Sequence, residues 1–189
     1  MTRKVETLLQ LSGISLPVRS DESISVSIRP ISEASGMSRT INGELIRVSR
    51  TVFDKMAISI SADGLNAAPL SHLSIGTYLE VALADPVYLP IMSDSRTASY
   101  GRAVLDVQAW NAQNRRVQPT SVPASPLPLQ TAFSAARVAA LRTPVTIPFA
   151  TPVAAVRARP VLACRVIGWS VDNEDANKSA SWELELEEV

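Results

Sequence analysis

The strongest constraint in this chain is a two-residue rhythm. Near the C-terminus, Trp182, Leu184 and Leu186 alternate with Glu183, Glu185 and Glu187. Successive strand side chains point to opposite faces, so this segment is expected to bury one face and hold three carboxylates in water. A helix would scatter the same residues around its axis. The rhythm recurs at Ile24, Val26 and Ile28 against Ser25, Ser27 and Arg29. It recurs again over Lys55–Ser61, where Met56, Ile58 and Ile60 alternate with Ala57, Ser59 and Ser61.

Thr77–Ala84 is a further predicted strand, with Leu79, Val81 and Leu83 on its more apolar face and Tyr78, Glu80, Ala82 and Ala84 on the other. The apolar face places this strand over the core. In Ala103–Trp110, likewise, Ala103, Leu105, Val107 and Ala109 form the more apolar side, and Val104, Asp106 and Gln108 the less apolar one. The exposed turn Asn111–Arg116 follows, where amides and charges stay hydrated. Val161–Val171 is apolar on both faces over much of its length, as expected of a central strand covered from two sides. Asp172–Lys178 then reverses the chain into the terminal strand.

Asn42-Gly43 lies between Ser38 and Ser49 and can supply both positive-φ positions of a type I′ turn, which predicts a hairpin over about residues 38–48. No phosphate-binding pattern surrounds this glycine. Some six to eight short strands with no internal repeat predict an all-β fold, a β-sandwich or partly closed β-barrel.

Proline marks the one interval that breaks this plan. Eight of the 13 prolines fall within residues 117–160. Proline lacks a backbone N–H and holds its predecessor away from helical geometry, so Gln118–Gln130 reads as an extended loop. Ala132–Leu141 can form a short helix, after which Pro144, Pro148 and Pro152 restore extended backbone. A long proline-rich excursion within a compact domain either covers a sheet edge or reaches another subunit. Residues 1–20 read as an N-terminal arm or peripheral segment, with a short helix around Val5–Leu11 ended by Gly13 and Pro17. Residues 21–189 read as a single β-rich domain containing the excursion at 117–160.

A composition 46% hydrophobic but only 5% aromatic supports a folded chain over a disordered one. Its formal net charge is zero, which gives no whole-chain argument for nucleic-acid binding. The distribution is uneven. Residues 1–85 carry 8 basic and 9 acidic groups, 86–171 carry 9 and 2, and 172–189 carry 1 and 7. A basic middle and an acidic tail can attract within a subunit or between neighbours, or simply remain solvated. The basic residues Arg96, Arg102, Arg115, Arg116, Arg137, Arg142, Arg157, Arg159 and Arg165 are too dispersed to define a nucleic-acid track.

No catalytic, cofactor-binding or metal-binding residues are assigned from the sequence. His72 is the single histidine, and Ser71-His72-Leu73-Ser74 holds no cluster of spaced ligands. Ser71, His72 and Asp85 have the side chains of a hydrolytic triad, but no nucleophile elbow orients them. Asp94 and Asp106 stand in no decisive context, and Glu183, Glu185 and Glu187 read as a hydrated row that can also meet a basic neighbour. Cys164, the only cysteine, sits in an apolar strand as a buried thiol and excludes an intrachain disulfide. Trp110, Trp169 and Trp182 read as packing residues, the last two covering one end of the terminal hairpin. No signal peptide is read at the N-terminus, and no uninterrupted run of about 18 apolar residues predicts a membrane helix.

Met37-Ser-Arg-Thr-Ile-Asn-Gly-Glu-Leu-Ile46 and the ending Ser181-Trp-Glu-Leu-Glu-Leu-Glu-Glu-Val189 resemble small structural proteins of tailed bacteriophages. The resemblance implies a non-enzymatic virion component of a capsid, neck or tail, assembled in the bacterial host cytoplasm. Its partners would be copies of itself and other virion structural proteins, with no cofactor and no membrane insertion. The residue pattern independently permits repeated contacts through edge strands and restrained loops. A non-viral β-rich adaptor or binding module is the first alternative; a hydrolase with a spatially assembled site is the second.

Overall fold

A computed structural model describes residues 9–17, 23–31, 37–47, 55–64, 66, 68–84, 86–89, 91–92, 94–121, 128–174 and 179–189. The fold is almost all-β. Its strands are β1 (Gln10–Leu11), β2 (Ser23–Pro30), β3 (Met37–Arg39), β4 (Leu45–Arg47), β5 (Met56–Gly64), β6 (Tyr78–Ala82), β7 (Val87–Leu89), β8 (Thr97–Tyr100), β9 (Val104–Trp110), β10 (Arg116–Val117), β11 (Val145–Pro148), β12 (Ala155–Glu174) and β13 (Ser179–Glu188). One helix, α1 (Ala135–Leu141), and a short 3-10 turn at Leu70–His72 complete the described elements. The main hydrogen-bonded order, β1–β6–β12–β13–β5–β2, has two ends and does not return on itself, so the sheet is only partly closed. No described helix is long and apolar enough to cross a membrane.

The chain divides into two compact units. Unit 1 comprises residues 1–15 and 78–163, and unit 2 comprises 16–77 and 164–189. The 20-residue β12 gives its first part to one and its second to the other.

In unit 1, β12 pairs with β7 through Val156↔Leu89 and with β9 through Val156↔Ala109. These residues face a core with Ala98, Val104, Val107, Ile147, Phe149, Val153 and Ala158. Pro160, expected within the irregular excursion, belongs to β12. It sits where the ladder to β9 shifts register, the kind of site at which a strand tolerates a missing N–H. Over its described residues the proline interval is therefore more regular than predicted; 122–127, in the middle of the expected Gln118–Gln130 loop, lie outside them. β11 pairs with β8, Pro119 bridges Phe149, and α1 starts at Ala135, three residues later than expected.

The predicted helix at Val5–Leu11 is overturned where it is described. Gln10 and Leu11 pair with Ala82 and Val81 as strand. Sheet hydrogen bonds and burial of Leu9 and Leu11 outweigh a helix too short to stabilise itself.

In unit 2, β12, β13, β5 and β2 form antiparallel ladders, with Val166↔Leu186↔Ile58↔Ile28 in one row. Trp182, Leu184 and Leu186 are buried and Glu183, Glu185 and Glu187 exposed, as the alternation predicted. The register puts Trp169 and Trp182 on one face of the hairpin, and the indole N–H of Trp169 donates to the Leu73 carbonyl at 2.9 Å.

The 38–48 hairpin forms with a different turn. Gly43 N–H donates to the Thr40 carbonyl at 2.8 Å and Thr40 N–H to the Glu44 carbonyl at 2.9 Å. Ile41 and Asn42 are thus the central turn residues, and Gly43, at φ +82°, closes a bulge. Asn42 does not take the positive φ that a type I′ turn demands.

Candidate functional site

Two constellations in unit 1 hold a charged side chain in a fixed place, one buried and one at the surface. The first centres on Glu80. β6 lies in the core as expected, with both of its faces buried, and Glu80 is 0% exposed. A carboxylate there must be fully hydrogen-bonded to persist.

Arg137 on α1 supplies a two-pronged contact, Nε to Oε1 and Nη2 to Oε2, each at 3.0 Å. Tyr78 Oη donates to Oε1 at 3.0 Å and the Gln130 backbone N–H to Oε2 at 2.8 Å. Ser12 accepts from the Glu80 N–H through Oγ and donates its own N–H to the Glu80 carbonyl, both at 2.9 Å. Burial pushes the Glu80 carboxyl up. The Arg137, Gln130 and Tyr78 hydrogen bonds together outweigh it and hold the group below the usual carboxylate value. The hydrogen bond to Glu80 correspondingly raises Arg137.

Every oxygen of Glu80 is engaged, which suits a clamp rather than an acid or base. It fastens α1 and the end of the proline-rich loop to β6. Phe133 adds an edge-on contact to Tyr78 at 5.6 Å between ring centres. Arg137 was visible in sequence only as one of nine dispersed arginines. The missed signal was Glu80 itself, a lone acid within Tyr-Leu-Glu-Val-Ala.

The second constellation lies on the face of β7–β12–β9 opposite the core. The register Tyr88↔Arg157↔Gln108 places these side chains in one row, with Ala155↔Trp110↔Arg116 and Arg159↔Asp106 beside it. Gln108 Oε1 accepts from Arg157 Nη2 at 2.8 Å and from Nε at 3.2 Å, while the guanidinium lies 4.9 Å from the Trp110 ring centre. Tyr88 remains 68% exposed. Arg157 is thus held in place by a neutral amide and an aromatic face. Such an arrangement fixes the cation without neutralising it and leaves it able to meet a carboxylate.

The other residues weighed in the sequence are dispersed. Ser71 and His72 are exposed on the 3-10 turn, and Asp85 lies outside the described residues. Asp94 is exposed at φ +61°, lining an open cleft of about 570 Å³ with Ile91, Met92, Asn111 and Gln113. Asp106 makes only a long contact with Gln108 Nε2, at 3.4 Å. Cys164 is buried, and opposite it in the ladder lies Glu188, whose Oε2 accepts from the Met56 N–H at 3.0 Å. Among the described residues, no three His, Cys, Asp or Glu side chains converge as a metal site. Comparisons with family models, curated proteins and solved structures find no match to this chain.

Proposed function

We propose that this chain is a structural or assembly protein that joins subunits of an ordered particle, of the tailed-phage capsid, neck or tail kind that its two ends resemble. The observation that carries the reading is the Tyr88–Arg157–Gln108 row with Trp110 of the neighbouring row beneath the guanidinium. Aromatic residues and arginine dominate the energetics of protein contacts, because they bury large area with few rotamers to freeze. Here the arginine is already oriented by Gln108, which lowers the ordering cost of docking. The partner surface that fits this row presents an acidic side chain to Arg157 and an apolar edge to Tyr88.

The test is to purify mature particles of a phage encoding the chain, assign the chain within them by imaging, and repeat with Arg157→Ala and Tyr88→Ala. Expected is incorporation of the parent chain and at least a tenfold loss for each variant, with unchanged circular dichroism. A chain missing from both mature particles and assembly intermediates overturns the proposal.

A further inference from the structure

We infer that β2 is a self-pairing edge through which two copies of this chain join their sheets about a twofold axis at Val26. The inference rests on the assembly reading, which it deepens by naming one partner as a second copy.

Hydrogen-bond parity gives the argument. Ile31 N–H donates to the Lys55 carbonyl at 3.0 Å, so 31 and 55 form a hydrogen-bonded antiparallel pair. Stepping by two along the uninterrupted register, Arg29, Ser27, Ser25 and Ser23 direct their backbone groups at β5. The amides and carbonyls of Ile24, Val26 and Ile28 therefore point to the opposite edge. Among the described residues no strand pairs there, and β2 ends the hydrogen-bonded order. The defences of that edge are confined to one end, Arg29 and Pro30. Its β5 ladder has no bulge, no charge points inward from it, and Pro30 interrupts only its end.

A second β2 laid antiparallel about Val26 matches this edge group for group. Ile24 faces Ile28 of the second copy, Val26 faces its counterpart, and Ile28 faces Ile24. With three outward N–H groups per strand, all six find carbonyl partners. Pro30, which has no N–H to offer, falls just beyond the last pair. The half-buried Ile24, Val26 and Ile28 then gain β-branched cross-strand neighbours, extending the apolar row Val166–Leu186–Ile58–Ile28 into the next subunit. On the opposite face Arg29 meets Ser23 of the second copy, with that copy's Asp63 one strand beyond. This puts opposite charges in the same row twice over. A shift of two residues in either direction leaves an outward amide of this set without a partner in the set, so full pairing selects this register among the twofold ones.

The test uses the full chain. Sedimentation equilibrium is expected to show a dimer that Val26→Pro returns to monomer, at least tenfold weaker in self-association. The substituted N–H points away from β5, so the internal ladder keeps its hydrogen bonds. Register is read separately by cysteine pairing. Ser25 and Ser27 of the second copy form a non-hydrogen-bonded pair about 4.5 Å apart at Cα, within disulfide reach. Mixed Ser25→Cys and Ser27→Cys chains are expected to cross-link to each other in preference to themselves, whether or not the proline variant folds. A parent chain monomeric at 200 μM, a folded Val26→Pro that stays dimeric, or cross-linking without that preference overturns the inference. A monomeric chain that still enters the particle defeats the inference alone, and a dimer absent from every particle preparation defeats the assembly reading alone.

Discussion

The two units solve the same problem, satisfying polar groups beside an apolar core, by different means. In unit 2 the antiparallel ladders of β12, β13, β5 and β2 satisfy most of the backbone, Glu188 adding a side-chain acceptor for the Met56 N–H where β5 begins, and alternation turns Glu183, Glu185 and Glu187 to water. In unit 1, Gln130 and Pro128 belong to an irregular segment without a ladder, and the buried Glu80 and Arg137 side chains supply what the ladder would: Gln130 N–H donates to Glu80, and Arg137 donates to the Pro128 carbonyl at 3.3 Å. A regular strand stabilises itself through pairing, whereas a proline-rich segment depends on a few side chains. Unit 1 is therefore expected to be more sensitive to single polar substitutions, and unit 2 to single apolar ones.

The largest test of that contrast is Glu80→Ala, which leaves the Arg137 guanidinium, only 18% exposed, without its carboxylate. It is expected to cost about 3–5 kcal/mol in urea unfolding. Replacing Glu80 and Arg137 together by methionine should cost less than the two single changes combined, because no buried charge is orphaned. In unit 2, Leu184→Ala is expected to cost about 2–5 kcal/mol, and Glu185→Ala, on the solvated face of the same strand, within about 0.5 kcal/mol. A large effect at Glu185 would break the comparison.

Acid titration sharpens it further. Glu80 lies below its unfolded-state value in the folded protein, so its contribution is complete above the unfolded carboxylate range. It is lost as pH falls through the lowered folded value. Glu80→Gln should flatten the acid limb of the stability curve relative to the parent, measured by urea midpoints at successive pH values. A local contrast of about the same kind lies in the β3–β4 turn. Gly43→Ala should cost about 1–2 kcal/mol because only Gly43 takes positive φ there, and Asn42→Ala about 0.5 kcal/mol or less. Equal losses at the two positions would restore a type I′ turn.

Legibility followed regularity. The strands around Ile24, Met56 and Trp182 were readable because a period of two encodes both conformation and face. Around Val104 and Val161 it gave the strand but not the faces, since Val104 is buried on the side read as less apolar and Ile167 and Trp169 are exposed. β7, wedged between Pro86 and Pro90, and β8 are too short to carry a period, and each exists through a partner, β12 or β11. Tyr88, Arg157 and Trp110 stand far apart in the chain, and neither their adjacent rows nor the Gln108 brace has a local signature. Glu80 fell on the less apolar face of its strand and its burial went unread, because alternation reports which residues share a face but not whether that face is covered.

The amino-acid order alone determined an almost all-β chain, the burial of Trp182, Leu184 and Leu186, the exposure of the glutamates between them, and a hairpin around Asn42-Gly43. These depend on backbone geometry and on neighbours within a few residues. Tertiary structure alone decided that Glu80 would be buried against Arg137, that Pro160 would enter a long strand at a register shift, and that Arg157 would lie over Trp110. Each requires segments distant in sequence to meet, and burial, charge pairing and ladder register have no value until they do.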